Sequence, residues 1–305
     1  MSDPGPNAGS TPPADALPLS RRLERAARRA FPFVVSAALL AYVFSQIDLR
    51  LALDYLTAEV LLRFALPLLL FNIVTVALEA QCLHRVSAAY PAEARPLSRG
   101  TAARIKAACY LLGILNYAVG AAGLSVLVRR RTGAGLATAA GMVFLISLFD
   151  IGSVLAWAGG GALLFEADSL GLRLGIIGLA IAAIVSGFVF LRAPISMGPL
   201  DAVRDLDLFR APRTAPSPLL VEIGLLRLLF VGCFVALVRA LFWSFDVEIG
   251  ATSLMLNVGL MLVVSALPVA AGGLGTGQIV FVEIFSGAAP EAKLLSMSIA
   301  FSLGL

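Results

Sequence analysis

Asp150 in "ISLFDIGSVLA" and Arg227 in "EIGLLRLLFVG" are charged residues set deep in apolar runs. A carboxylate is an acceptor on a short stem, and a guanidinium is a permanent cation that forks onto carboxylate or phosphate. Two roles fit this pair: each neutralises the other as a structural contact, or together they line a polar cavity. Arg227 stands about nine residues into its run, roughly 13 Å at a helical rise.

A second group of residues surrounds two glycine-dense stretches, "NYAVGAAGLSVLV" at 116–128 and "LPVAAGGLGTGQIVF" at 267–281. Glycines packed this densely mark a backbone that bends or lets something approach closely. Asn116 and Gln278 flank the two stretches; an amide there satisfies freed peptide groups or binds a phosphate or hydroxyl. "GGLGTG" lacks the Lys-Ser/Thr of a phosphate loop, and Gln278 stands where a dinucleotide fingerprint needs its third glycine. Its amides at a helix start are still suited to an anionic group. Glu283 follows about two turns later and is expected to face the same region.

Catalytic chemistry finds little to work with. His84 is the single histidine, so neither a serine-histidine pair nor a histidine metal site is expected. Cys82, Cys109 and Cys233 lack metal-type spacing and read as small hydrophobes. The chain is expected to carry no catalytic residues, no metal and no cofactor.

The elements that position these groups follow from composition. Apolar residues make up 59% and charged residues 14%, against about 45–50% and about 25% in soluble domains. Such a chain has too little charge to cover a surface in water. Apolar runs fall at about 31–47, 57–80, 105–128, 136–160, 174–191, 218–243, 251–287 and 293–305. Several reach the roughly 20 residues that cross a bilayer core, and they are continuous rather than alternating, which excludes a barrel. At that depth each buried charge costs about 2.5–3.5 kcal/mol on insertion scales. The cavity that Asp150 and Arg227 would line is therefore one for a lipid head group. The final run is shorter than a span, either part of a longer helix or a short helix completed by a partner.

Of 23 Lys and Arg residues, seventeen lie in 21–29, 85–106, 129–131 and 192–213, while the intervening segments hold only Arg50, Arg173 and Lys293. This asymmetry places the N-terminus in the cytoplasm. The net charge of +4 is accounted for by such loops, and nucleic acid is not expected as a partner. Residues 1–29 read as a disordered, basic cytoplasmic tail, and 30–305 as a single transmembrane domain. The run at 105–128 is basic on both flanks, which predicts a re-entrant hairpin bent at "GAAG", Gly120 to Gly123. The order span, span, glycine-broken segment, span then repeats. The predicted fold is an all-α integral membrane protein of about eight hydrophobic segments. They form two inverted-topology halves, about 30–160 and 174–305, each with a glycine-broken, re-entrant segment.

"LPVAAGGLGTGQ" resembles the Pro-x-x-x-Gly-Gly-x-Gly signature of the lysylphosphatidylglycerol synthase transmembrane (flippase-like) family. "GILNYAVGAAGLSVLVRRRTG" and the "LFD" ending at Asp150 are similar to two looser motifs of that family, so the likeness covers roughly 100–305. Gly277 and Gln278 stand where relatives often carry an Arg-Glu pair, and the soluble aminoacyl-transfer domain is missing. The resemblance implies a multi-pass protein of the cytoplasmic (inner) membrane that moves a phospholipid or lipid-linked head group across the bilayer. Its implied partners are membrane lipids with anionic or modified head groups, and further copies of itself or a lipid-biosynthesis enzyme. An accessory or scaffold role beside an envelope-lipid enzyme is the alternative. The expected site gathers Asp150 and Arg227; Asn116, Gly120, Gly123 and Arg129 of the first break; and Pro268, Gly272, Gly273, Gly275, Gln278 and Glu283 of the second.

Overall fold

The computed structural model describes residues 49–90, 95–113, 117–164, 170–194, 196, 198–265 and 276–304. The expected N-terminal tail, the apolar run at 31–47, Asn116 and the stretch from Pro268 to Gly275 lie outside them. Among the described residues all regular structure is helical, in twelve helices: α1 Leu49–Asp54, α2 Ala58–Ala88, α3 Arg99–Gly113, α4 Tyr117–Thr132, α5 Leu136–Leu164, α6 Leu170–Arg192, α7 Pro199–Arg204, α8 Asp207–Thr214, α9 Ser217–Ser244, α10 Ala251–Ser265, α11 Thr276–Ile284 and α12 Glu291–Gly304. Four are long and apolar enough to cross a membrane: α2, α5, residues Leu174–Arg192 of α6, and α9. Helices suit such sequences because every backbone N–H and C=O is satisfied within the segment.

Local signals set the helix ends. Thr57 caps α2, its hydroxyl accepting from Val60 N–H at 3.3 Å. Gly133 ends α4 at φ +75°, its N–H donating to Arg129 O at 2.9 Å. Asp246 ends α9 at φ +50°, and Val247 N–H returns to Phe242 O at 3.0 Å. That left-handed turn presents the Asp246 carboxylate to Arg63 Nη1 at 3.0 Å. The sequence pattern ends the second run near residue 80, whereas α2 continues to Ala88. Nothing between Glu79 and Tyr90 breaks a helix, and the next breaker is Pro91.

α2 and α9 form the central seam. They run antiparallel, with contacts in steady register: Arg63 to Asp246 at 3.0 Å, Phe71 to Phe234 with ring centroids 4.8 Å apart, Glu79 to Arg227 at 3.4 Å, and Arg85 to Glu222 at 2.7 Å. α5 lies parallel to α9, with Trp157 Nε1 donating to Leu228 O at 2.9 Å. Two buried apolar clusters share the seam. One joins α1, α10, α11 and α12 to its Phe64–Phe71 and Leu237–Phe242 end; the other joins α3, α4 and α5 to its Ala80–Val86 and Leu219–Ile223 end.

Two pairs of short helices complete the bundle. α3 and α4 reverse direction between Gly113 and Tyr117 and meet again at their free ends, where Arg95 N–H donates to Thr132 O at 2.8 Å. No bend falls at Gly120 to Gly123, where the glycine spacing predicts one. Both glycines lie inside continuous α4, Gly120 buried and Gly123 half-buried. A helix tolerates them at about 1 kcal/mol each, and small residues allow close helix approach. The free ends of α3–α4 share one end of the bundle with Arg85–Glu222 and with Arg192, whose guanidinium donates to Pro212 O at 3.3 Å. The free ends of α10–α11 lie at the opposite end. Arg239 there donates to Ile249 O at 2.5 Å, and Phe285 of the turn after α11 packs on Phe242 at 4.9 Å.

Glycines set the α5–α10 crossing. A Cβ added at Gly161 would stand 2.6 Å from Leu256 N, and one at Gly259 would stand 2.7 Å from the Ala158 Cβ. The space beside Gly152, in the same helix as Gly161, is open. Gly161→Ala is expected to destabilise the purified protein by about 1–3 kcal/mol through overpacking. Gly152→Ala should be neutral or stabilising by up to about 1 kcal/mol. Thermal unfolding in detergent reads both; equal midpoints for the two variants would refute the close crossing.

Candidate functional site

Four helices bring charge to one level of the bundle. Glu79 of α2 lies nine residues before Ala88, about 13 Å along the helix, and its side chain is 8% exposed. Its Oε1 accepts from Lys106 Nζ of α3 at 2.9 Å and faces Arg227 Nη1 of α9 at 3.4 Å. Its Oε2 accepts from the Tyr110 hydroxyl, one turn beyond Lys106 on the same face of α3. Both carboxylate oxygens are thus engaged by donors, two of them cationic. Such pairing is what lets an acid stay ionised in an apolar interior.

Arg227 is the centre of the arrangement. Its side chain is 1% exposed and lies over the Phe230 ring, 5.1 Å from the centroid. Nε is 3.1 Å from Asp150 Oδ1 of α5, an ion-pair distance without the alignment of a hydrogen bond. Nη2 has no acceptor among the described residues. By the geometry of a guanidinium, Nε–H and the outer N–H of Nη2 share one edge, the fork that grips carboxylates and phosphates. That edge faces Asp150 and is not saturated.

Asp150 and Tyr110 are the open side of the cluster. The Asp150 side chain is 34% exposed and Tyr110 is 44% exposed, whereas Lys106 is at 12%. α3 and α5 pack on α2 but share only marginal contact with each other. Tyr110 of α3 and Asp150 of α5 form the exposed rim of the cluster, and Glu79, Lys106 and Arg227 lie buried behind them. With two carboxylates and two cations the cluster is neutral. It is equipped to bind and orient charged groups. Among the described residues no three His, Cys, Asp or Glu side chains converge as a metal site would require.

The sequence places Asp150 and Arg227 together, and the structure pairs them. It scatters the other expected residues. Gly120 and Gly123 lie within α4. Arg129 is exposed on the last turn of α4, lining a shallow recess with Val126, Arg130 and Gly133 to Gly135. Gln278 is buried and donates to Ser302 Oγ of α12 at 3.1 Å. Glu283 is exposed near the end of α11. Asn116, Pro268, Gly272, Gly273 and Gly275 lie outside the described residues. Glu79, Lys106 and Tyr110 are not legible as site residues from the sequence, because the apolar pattern ends the second run near residue 80 and begins the third near 105. Carrying the helix on to Pro91 places Glu79 well inside a span, and the Lys106–Tyr110 spacing of four then offers a matching polar face.

No family model matches the chain, and no curated protein matches it at a significant level.

The two kinds of ion pair on the seam differ in cost. Glu79→Ala leaves Lys106 without its counterion and Arg227 with Asp150 alone, and is expected to destabilise by about 3–5 kcal/mol. Arg85→Ala breaks a pair whose side chains are 46% and 31% exposed and should cost about 1 kcal/mol or less. Denaturant unfolding in detergent micelles separates the two. A Glu79→Ala protein as stable as Arg85→Ala would mean that the buried cluster does not hold the helices together.

Proposed function

We propose that this protein is a translocator of the cytoplasmic membrane that moves a phospholipid or lipid-linked head group across the bilayer. The observation that carries this reading is the neutral cluster of Glu79, Lys106, Asp150 and Arg227. Three of its four helices are of membrane-spanning length; Asp150 is half-exposed, and an unsaturated guanidinium edge lies buried behind it. Ionisable groups at such depth are costly and mark a path or site for polar cargo. The α3–α4 and α10–α11 pairs, with free ends at opposite ends of the bundle, support two inverted halves with re-entrant segments, the arrangement in which cargo binds near mid-depth between repeats. The basic end faces the cytoplasm by the charge asymmetry of its loops, with the N-terminus on that side. Membership of the lysylphosphatidylglycerol synthase transmembrane family accords with this reading and rests on the motifs around Asn116, Asp150 and Pro268.

Purified protein reconstituted into vesicles containing fluorescent phospholipid should make inner-leaflet probe accessible to an external quencher faster than protein-free vesicles. Asp150→Asn, at a half-exposed position that tolerates the change, should slow this by about tenfold, equivalent to about 1.4 kcal/mol on the barrier. Wild-type protein that moves no lipid faster than empty vesicles would refute the proposal.

A further inference from the structure

The valences left open in the cluster specify the chemistry of what would fill it. On the donor side are Arg227 Nη2, with no acceptor among the described residues, and the Lys106 ammonium, one of whose three N–H groups serves Glu79. Glu79 keeps at most one acceptor site, on Oε2, since Lys106 and Arg227 face Oε1 and Tyr110 binds Oε2. On the acceptor side is Asp150, half-exposed and held to Arg227 by one long contact at 3.1 Å. Buried donors for an anion therefore lie directly behind an exposed acceptor for a cation.

Charge balance narrows the choice. The four ionised side chains sum to zero, so an anionic or a cationic guest would leave a net charge buried in low dielectric, while a guest of zero net charge leaves the balance unchanged. A phosphate has the geometry to take the Nε–Nη2 edge bidentately. In doing so it displaces Asp150, which then needs a new donor. An ammonium two or three bonds from the phosphate supplies one, provided it carries N–H. A quaternary ammonium has none to offer.

We infer that the cluster behind the rim of Tyr110 and Asp150 binds a zwitterionic head group, a phosphodiester bearing a primary ammonium, with phosphate on Arg227 and Lys106 and ammonium on the displaced Asp150. This rests on the translocator reading for its use but not for its binding, and the two are tested apart. No covalent step is involved; Asp150 exchanges one cation for another.

Full-length protein is reconstituted with tail-labelled phosphatidylethanolamine, phosphatidylcholine or phosphatidylglycerol of identical acyl chains, and transbilayer movement is timed for each. In parallel, native mass spectrometry ranks the same three lipids by retention on the detergent-solubilised protein. The ethanolamine lipid should lead both rankings by about tenfold, since a site built to hydrogen-bond an N–H rejects analogues lacking it. Asp150→Asn should lower the ethanolamine lipid to the level of the choline lipid, and Asp150→Glu should restore part of the difference. Equal or better retention of the glycerol or choline lipid, or an unchanged ranking in Asp150→Asn, overturns the inference. Lipid movement without head-group preference overturns the inference and leaves the translocator standing. Selective retention without movement supports the inference and sinks the translocator.

Discussion

A guanidinium with no access to solvent constrains every helix around it. Arg227 cannot shed its proton at any ordinary pH, so its charge must be answered where it stands. Glu79 answers from α2, Asp150 from α5, and the Phe230 ring covers one face. Lys106 follows, because Glu79 accepts from both cations. Four helices distant in sequence are thereby tied to one level of the bundle. Apolar packing alone would not fix that level, since Leu- and Ala-rich faces slide against one another at little cost and lipid offers the same apolar contact. One buried cation converts a set of greasy helices into a particular arrangement.

The seam between α2 and α9 shows how unequal contacts divide that work. Its outer pairs, Arg63–Asp246 and Arg85–Glu222, are open to solvent or head groups and contribute little energy. They still mark register, because a slip of one turn would break all of the seam's contacts together. The Phe71–Phe234 edge-to-face contact fills the apolar stretch between. Only the Glu79–Arg227 level is both buried and charged, and there a broken contact leaves a charge with nowhere to go.

How much of this could be read from the chain depends on what each residue reports. Membrane class and helical architecture follow from composition and from continuous apolar runs. Asp150 and Arg227 announced themselves because charge inside a run is conspicuous, and their pairing follows from mutual need. Glu79 was hidden by its neighbours: "LEAQCLHR" looks like the polar end of a span, although the helix runs on to Ala88. Depth, not polarity, makes it a site residue, and depth depends on where the helix stops. The glycines of "GAAG" misled for the opposite reason. Glycine permits a bend but does not compel one, and packing of α4 against α3 and α5 keeps the helix whole. The return of α4 along α3 shows instead in the meeting of Arg95 with Thr132, a contact between residues 37 apart that no local pattern encodes.

The two pairs of short helices open at opposite ends of the bundle, yet their chemistry differs. α3 carries Lys106 and Tyr110 into the cluster. α10 has no charged residue, and the one on α11, Glu283, is exposed. Polarity is therefore concentrated on the basic side of the centre, Arg227 being ten residues from the start of α9, about 15 Å along the helix. Beyond it the seam turns aromatic: Phe230 and Phe234 lie 5.6 Å apart, and Phe71 and Phe301 close on Phe234 at 4.8 Å and 6.4 Å. A polar group entering from the basic end meets compensating charge early, while one from the other end meets rings that offer it only a weak quadrupole. For anything polar that follows this seam, the barrier lies in the aromatic half.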